Sequence, residues 1–179
     1  MKHIFLAAAA SAAIMIGGCA PMSGGASPAG MADMTPRTAM PYVMMAGASD
    51  LFEIQSSQMA VRRATRPEVR QYAQMLIQHH QMTTQQVMGA ARASGLNPPP
   101  PRLLPMQQRM LEQLRNASAA NFDRTYMMQQ IPAHEMALAL HRNYASAGDR
   151  PPLRTVAGNA VPIVTQHLNE AQRMSTMLR

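Results

Sequence analysis

The chain has 179 residues, enough for one domain with appendages. Charged residues make up 14% and aromatics 4%, with no tryptophan, a single cysteine and 19 methionines. A disulfide framework is therefore excluded, and a large α/β enzyme or an aromatic-rich β-sandwich is disfavoured. The formal charge is +7, but the arginines are scattered from Arg37 to Arg179, without aromatic interleaving. That pattern does not make a nucleic-acid surface; it suits a solvated basic face or a partner among anionic envelope components.

Lys2 and His3 precede an uncharged run from Ile4 to Ile16, then Gly17, Gly18 and Cys19. Thirteen helical residues span about 20 Å at ~1.5 Å each, against about 30 Å for a bilayer core, so the run reads as a signal segment and not a membrane span. The IGGC stretch resembles the lipobox of bacterial lipoproteins. The resemblance implies a signal peptide over residues 1–18, cleavage before Cys19, and lipidation of that cysteine. Ala20 is not the aspartate associated with inner-membrane retention, so the expected location is the periplasmic face of the outer membrane. Residues 19–41, rich in Gly, Ser, Ala and Pro, read as a flexible tether, and residues 42–179 as the folded domain.

Four long helices are predicted in that domain. The first runs from about Tyr42 to Ala64. Thr65, Arg66, Pro67 and Glu68 read as a capping box opening the second, which continues to Ser94 with Gly95 as a left-handed stop. Asn97 and the prolines at 98–101 form a stiff connector, followed by a short helix from Pro105 to about Asn116. Ser118 is the expected cap of the third long helix, which ends near Ala147 before Gly148. Asp149, Pro151 and Pro152 open the fourth, ending near Leu178. Pro132 and Pro162 should kink the helices that contain them. No segment reads as a strand. The fold class expected is all-α: a ferritin-like four-helix bundle with a long crossover between helices 2 and 3 that carries a short extra helix.

The apolar stripes carry the candidate chemistry. On helix two the stripe is Val69, Ala73, Leu76, His80, Val87 and Ala91. On helix three it is Met127, Ile131, His134, Leu138, His141 and Ala145. On helix four it is Val156, Ala160, Ile163, His167, Ala171, Met174 and Leu178. Helix one offers Ser49, Glu53, Ser57, Ala60 and Ala64 at the same spacing. Glu53, His80, His134 and His167 fall near their helix midpoints, so a bundle of similar-length helices brings them to one level. Three imidazoles buried there need partners, because an unsatisfied buried polar group costs on the order of 1–3 kcal/mol. A metal ion would satisfy them; so would hydrogen bonds with Glu53 and with one another.

The donor types bear on which metal. No Glu-x-x-His occurs, Glu68, Glu112 and Glu135 are badly placed, and Glu170 is the sole plausible second carboxylate, so di-iron chemistry is disfavoured. A histidine-rich site suits copper or zinc, and thioether sulfur favours Cu(I). Met75, His79 and Met82 share one helix flank and could form a separate surface site; His141 is a further possible accessory. Helically spaced methionines are also ordinary core fillers.

The segments PEVRQYAQMLIQHH, NFDRTYMMQQIPAHEMAL and VPIVTQHLNEA resemble the family of domain of unknown function 4142, secreted bacterial proteins expected to form ferritin-like bundles. The resemblance covers the chain from Tyr42 onward and matches His80, His134 and His167 with Phe122, Asp123 and Tyr126. The chain departs from the family pattern at His79, usually an acid, and at His141, usually apolar. The resemblance implies the fold and supplies no activity. Three functions follow: a metal-binding envelope lipoprotein for copper or zinc, a structural module with a hydrogen-bonded His/Glu core, and, least supported, a metal-dependent enzyme. No nucleophile–base pattern or phosphate-binding loop supports metal-free catalysis.

Overall fold

The structure, a computed structural model, describes residues 35–178. The expected signal peptide, Cys19 and most of the expected tether lie outside the described residues. Five helices follow in order: α1 (Ala39–Arg63), α2 (Pro67–Ala93), α3 (Pro105–Asn116), α4 (Ala119–Ala147) and α5 (Pro151–Thr176). No strand occurs among the described residues. α1 and α2 form one tightly packed hairpin, and α4 and α5 form the other. The hairpins meet along thinner α1–α4 and α2–α5 seams, with the short α3 against α1 and α4. No helix among the described residues is long and apolar enough to cross a membrane.

α1 starts three residues earlier than the sequence predicts, at Ala39, and runs through Pro41; a proline in the first turn forfeits no intrahelical hydrogen bond. Its break before α2 follows from Pro67, which holds Arg66 extended at φ −84°, ψ 130°. The expected capping box at Thr65 does not form. Thr65 instead donates its hydroxyl (2.8 Å) and backbone N–H (3.0 Å) to Asp123 of α4, and Arg66 N–H donates to the same carboxylate at 2.9 Å. A carboxylate from across the bundle thus takes the place of a local cap. Ser118 stands at the N-cap of α4 but makes no side-chain capping bond.

Gly95 adopts φ +77°, the left-handed stop its position predicts. Gly148 ends α4 for another reason. Its φ is −67°, but a Cβ there would lie 2.5 Å from the Tyr144 ring. The crossover is drawn onto the bundle at Gly47, where a Cβ would meet Pro101 at 3.1 Å. Arg63 donates to the carbonyls of Leu114 (3.0 Å) and Arg115 (2.8 Å) at the end of α3 while lying 4.5 Å over Phe122. α4 and α5 continue as helices through Pro132 and Pro162.

Two apolar clusters fill the ends of the bundle. One gathers Val69, Leu76, Leu114, Phe122, Tyr126 and Met174. The other gathers Tyr42, Val43, Val87, Leu140, Tyr144 and Leu153. The α2 stripe is buried throughout. The α5 stripe is rotated from expectation: Leu153, Ala160, His167 and Met174 form its centre with Ala157 and Val164 beside them, and Val156 and Ile163 are half-buried. At ~100° per residue those two sit about 60° from the centre line, on its rim.

Candidate metal centre

Between the two apolar ends lies a polar layer. His80 from α2, His134 from α4 and His167 from α5 meet there, with exposures of 3%, 0% and 1%. Their ring centroids form a nearly equilateral triangle: 5.6 Å between His80 and His134, and 5.3 Å from His167 to each. One nitrogen from each ring lies within 4.8 Å of the others. Ligands about 2.0–2.1 Å from a shared ion would stand some 3.5 Å apart, so ring shifts of about 1 Å would close the set. Glu53 of α1 completes the layer, its Oε1 3.8 Å from His134 Nδ1.

Each ring is oriented by a partner on its other nitrogen. His80 Nδ1 bonds Asp50 Oδ1 at 2.8 Å, and Thr84 donates its hydroxyl to Asp50 Oδ2 at 2.9 Å. His134 Nδ1 donates to the carbonyl of Gln130 at 2.8 Å, one turn back on α4. His167 Nε2 pairs with His79 Nδ1 at 2.8 Å, with the two rings stacked. Tyr72 ties the carbonyl of His167 to α2 at 3.1 Å. What these bonds leave over decides the chemistry. His80 Nε2, His134 Nε2, His167 Nδ1 and both oxygens of Glu53 are buried without a hydrogen-bond partner. Five orphaned atoms in one layer would be a heavy penalty for a purely packed core. The three ring nitrogens form a fitting donor set for a metal cation, with outer partners of the kind that fix ligand tautomers in metal sites, while Glu53 stands beside the set, on the Nδ1 side of His134.

Burial presses the histidines toward the neutral form that ligates. His134 is lowered to about 3 by burial and then by the charge on His80. His167 is lowered to about 2 by burial and the neighbouring imidazoles. Burial acts the same way on His80, but its bond to Asp50 and the charges of Asp50 and Glu53 outweigh it, leaving His80 above the ordinary value. Burial pushes Glu53 up to about 7, offset in part by His80 and by the side-chain amide of Gln130. The metal-free layer therefore holds one proton-hungry imidazole between two carboxylates and two neutral rings.

Residues 23–174 match the family described as a domain of unknown function, DUF4142. The chain belongs to the DUF4142 family. Among solved structures, this DUF4142 domain is similar to CopM in the Cu(II)-bound form: TM-score 0.69, 19% identity, covering 82% of this chain and all of that one (100%). CopM in the Cu(I)-bound form aligns with TM-score 0.67 and 21% identity over 78% of this chain and 96% of that one. CopM in the Ag-bound form aligns with TM-score 0.66 at 20% identity. At such identities the likeness is one of fold. No curated protein matches the chain.

Of the residues singled out from sequence, the DUF4142 fold brings His80, His134 and His167 together, sets Glu53 beside His134, and leaves others apart. His79 is not part of a separate surface site: it turns inward, half-buried, onto His167. Met75 is half-buried against the apolar core, and Met82 is 48% exposed. His141 lies in the α4 core, where its Nδ1 pairs with the Tyr42 hydroxyl at 3.0 Å and Tyr42 stacks on Tyr144. Glu170 faces the surface, paired with Arg173, which holds its carboxyl below the usual range. Asp50 was not foreseen. It lies three residues before Glu53 and shares its helix face, but the stripe drawn through Ser49 passes one residue to its side, and Ser49 is only half-buried.

Proposed function

We propose that this protein binds a transition-metal ion, copper foremost, at the His80–His134–His167 layer with Glu53 beside it, and that it serves to sequester or hand on that ion in the cell envelope. The observation that carries the reading is the set of three buried imidazoles that converge to within 4.8 Å, each with one nitrogen left unpartnered. A hydrogen-bonded core would have used those atoms on one another, and Glu53 stands 3.8 Å from His134 instead. The likeness to CopM, solved with Cu(I), Cu(II) and Ag, favours copper among metals that accept imidazole. Asp50 already uses both oxygens, which leaves Glu53 the free carboxylate of the layer and a poor basis for a di-iron centre. The compartment rests on the IGGC stretch: lipidation at Cys19 would anchor the domain at the membrane through its tether.

The direct test is metal content by mass spectrometry after equilibrating purified protein with equal copper and zinc under reducing conditions. We expect about one copper per chain, lost in His134→Ala. No retained metal in the wild-type protein would overturn the reading. Anchoring is tested separately by Cys19→Ser, which should move the protein from the membrane fraction to the soluble one.

A further inference from the structure

The layer is closed on nearly every side, so an ion needs a defined way in and out. His80 is backed by Asp50, which is 2% exposed. His134 is fully buried and backed by the main chain of its own helix. His167 alone has an outer partner that reaches toward solvent, the half-buried His79. That partner stands on the α2–α5 flank, one of the thinner seams between the two hairpins. A groove of about 780 Å³ opens along the same flank, lined by Tyr72, Met75, Gln166 and Glu170 among others. Tyr72 holds the His167 backbone, Gln166 is its neighbour in sequence, and Met75 lies one turn before His79. Exposed Met82 lies three residues beyond His79 on the same helix.

We propose that His79 is the exchange residue of the centre: copper enters and leaves along the α2–α5 flank, from Met75 in the groove or from exposed Met82 to His79, and from there past the His167 ring into the layer. The proposal rests on the metal-binding reading above. His167 turns Nε2 to His79 and keeps its unpartnered Nδ1 on the layer side, so copper released by His79 passes the edge of the His167 ring to reach Nδ1 and the other two nitrogens. In the transfer a bond from copper to His79 Nδ1 forms as a bond to the outer sulfur or carrier breaks. His167 keeps its proton on Nε2, which leaves Nδ1 free to ligate, and His79 Nδ1 gives up only the hydrogen bond it accepts there; that bond re-forms when copper moves on to the three-nitrogen set. No oxidant or reductant is involved, because the ion stays Cu(I) throughout.

A relay differs measurably from a merely orienting partner. A relay lowers the barrier in both directions, so its loss slows loading and removal by the same factor and leaves affinity unchanged. Loss of an orienting partner weakens affinity, chiefly through faster release. His79→Gln separates the two, since an amide keeps a hydrogen bond to His167 but is a poor Cu(I) ligand. Cu(I) is supplied to the full protein and withdrawn with a chromogenic Cu(I) chelator, following both rates by stopped flow. We expect His79→Gln to slow both rates at least tenfold with affinity within a factor of three, and His79→Met, which restores a soft ligand, to recover most of the rate. Met75→Leu combined with Met82→Leu should slow both rates by a smaller factor, while Met136→Leu, exposed on α4, should leave them unchanged. Rates in His79→Gln equal to wild type, or affinity lost through release alone, would overturn the route while leaving the copper site standing. Absence of Cu(I) binding by the wild-type protein would overturn both.

Discussion

Asp50 and Glu53 stand three residues apart on one helix face and meet opposite fates. Asp50 is saturated, with His80 on one oxygen and Thr84 on the other. Glu53 has no partner at full hydrogen-bond geometry, only the side-chain amide of Gln130 near it, and burial lifts it to about 7. A carboxylate that bonds the far nitrogen of a ligating histidine fixes its tautomer and raises its basicity. Asp50→Asn keeps an acceptor for the His80 N–H but removes the charge. We therefore expect copper affinity to fall roughly 10- to 100-fold with circular dichroism unchanged, measured by chelator competition; unaltered affinity would deprive Asp50 of that role. At this scale the ligand candidates were legible, because an imidazole within an apolar stripe stands out. The partners were not, because an acceptor one residue off a stripe becomes visible only when the facing helix is in place.

Among the helices, the predicted beginnings and ends rested on local signals, and those signals held where the physics is local. Pro67 and Gly95 act on their own backbone torsions, through ring closure and the lack of a Cβ, and both do what their positions imply. The caps failed for the opposite reason. Thr65 was assigned a bond within its own turn, but Asp123 offers a full charge from α4 and takes three donors at the α1–α2 corner. Asp123→Ala should cost on the order of 2–3 kcal/mol, the scale for orphaning donors bonded to a buried carboxylate. The check is a urea unfolding midpoint, which Thr65→Ala should lower by less, since that change leaves both backbone N–H bonds intact. Gly148 belongs here too: the sequence placed a glycine at the helix end, while the Tyr144 ring is what requires it.

The molecule as a whole is a bundle with greasy ends and a proton-sensitive waist. In the metal-free protein His134, His141 and His167 lie below the ordinary histidine value, at about 3, 4 and 2. As pH drops below about 6.5 the unfolded chain takes up protons there that the folded one refuses, so acid lowers stability. Glu53, raised to about 7 from 4.5, acts the other way: the folded state holds its proton between those values. Three groups against one leave a net loss on acidification from pH 6.5 to 5, about 1.4 kcal/mol per pH unit for each uncompensated proton. On the alkaline side Glu53 and the raised His80 both make the folded state hold protons more tightly, so stability also declines as pH rises past 6.5. The metal-free midpoint should therefore peak near pH 6.5 in denaturant titrations; a midpoint climbing steadily toward pH 5 would sink this account. Bound copper should raise the unfolding free energy, and with it the midpoint, at every pH where it binds, by about 4 kcal/mol at a thousandfold excess over Kd.

The sequence by itself determined the helices, their order, the long crossover and the level at which three histidines and Glu53 would stand. Those follow from periodicity, from proline and glycine, and from helix length, all of which act within one segment. Only the tertiary structure decided that Asp50 is the partner of His80, that His79 turns inward to His167, that His141 pairs with Tyr42, and that Glu170 stays outside with Arg173. Each of those outcomes depends on the rotation of one helix against another. A turn of about 60° exchanges the centre of a stripe for its rim, and a single chain's spacing does not fix an angle that the packing of both helices sets together.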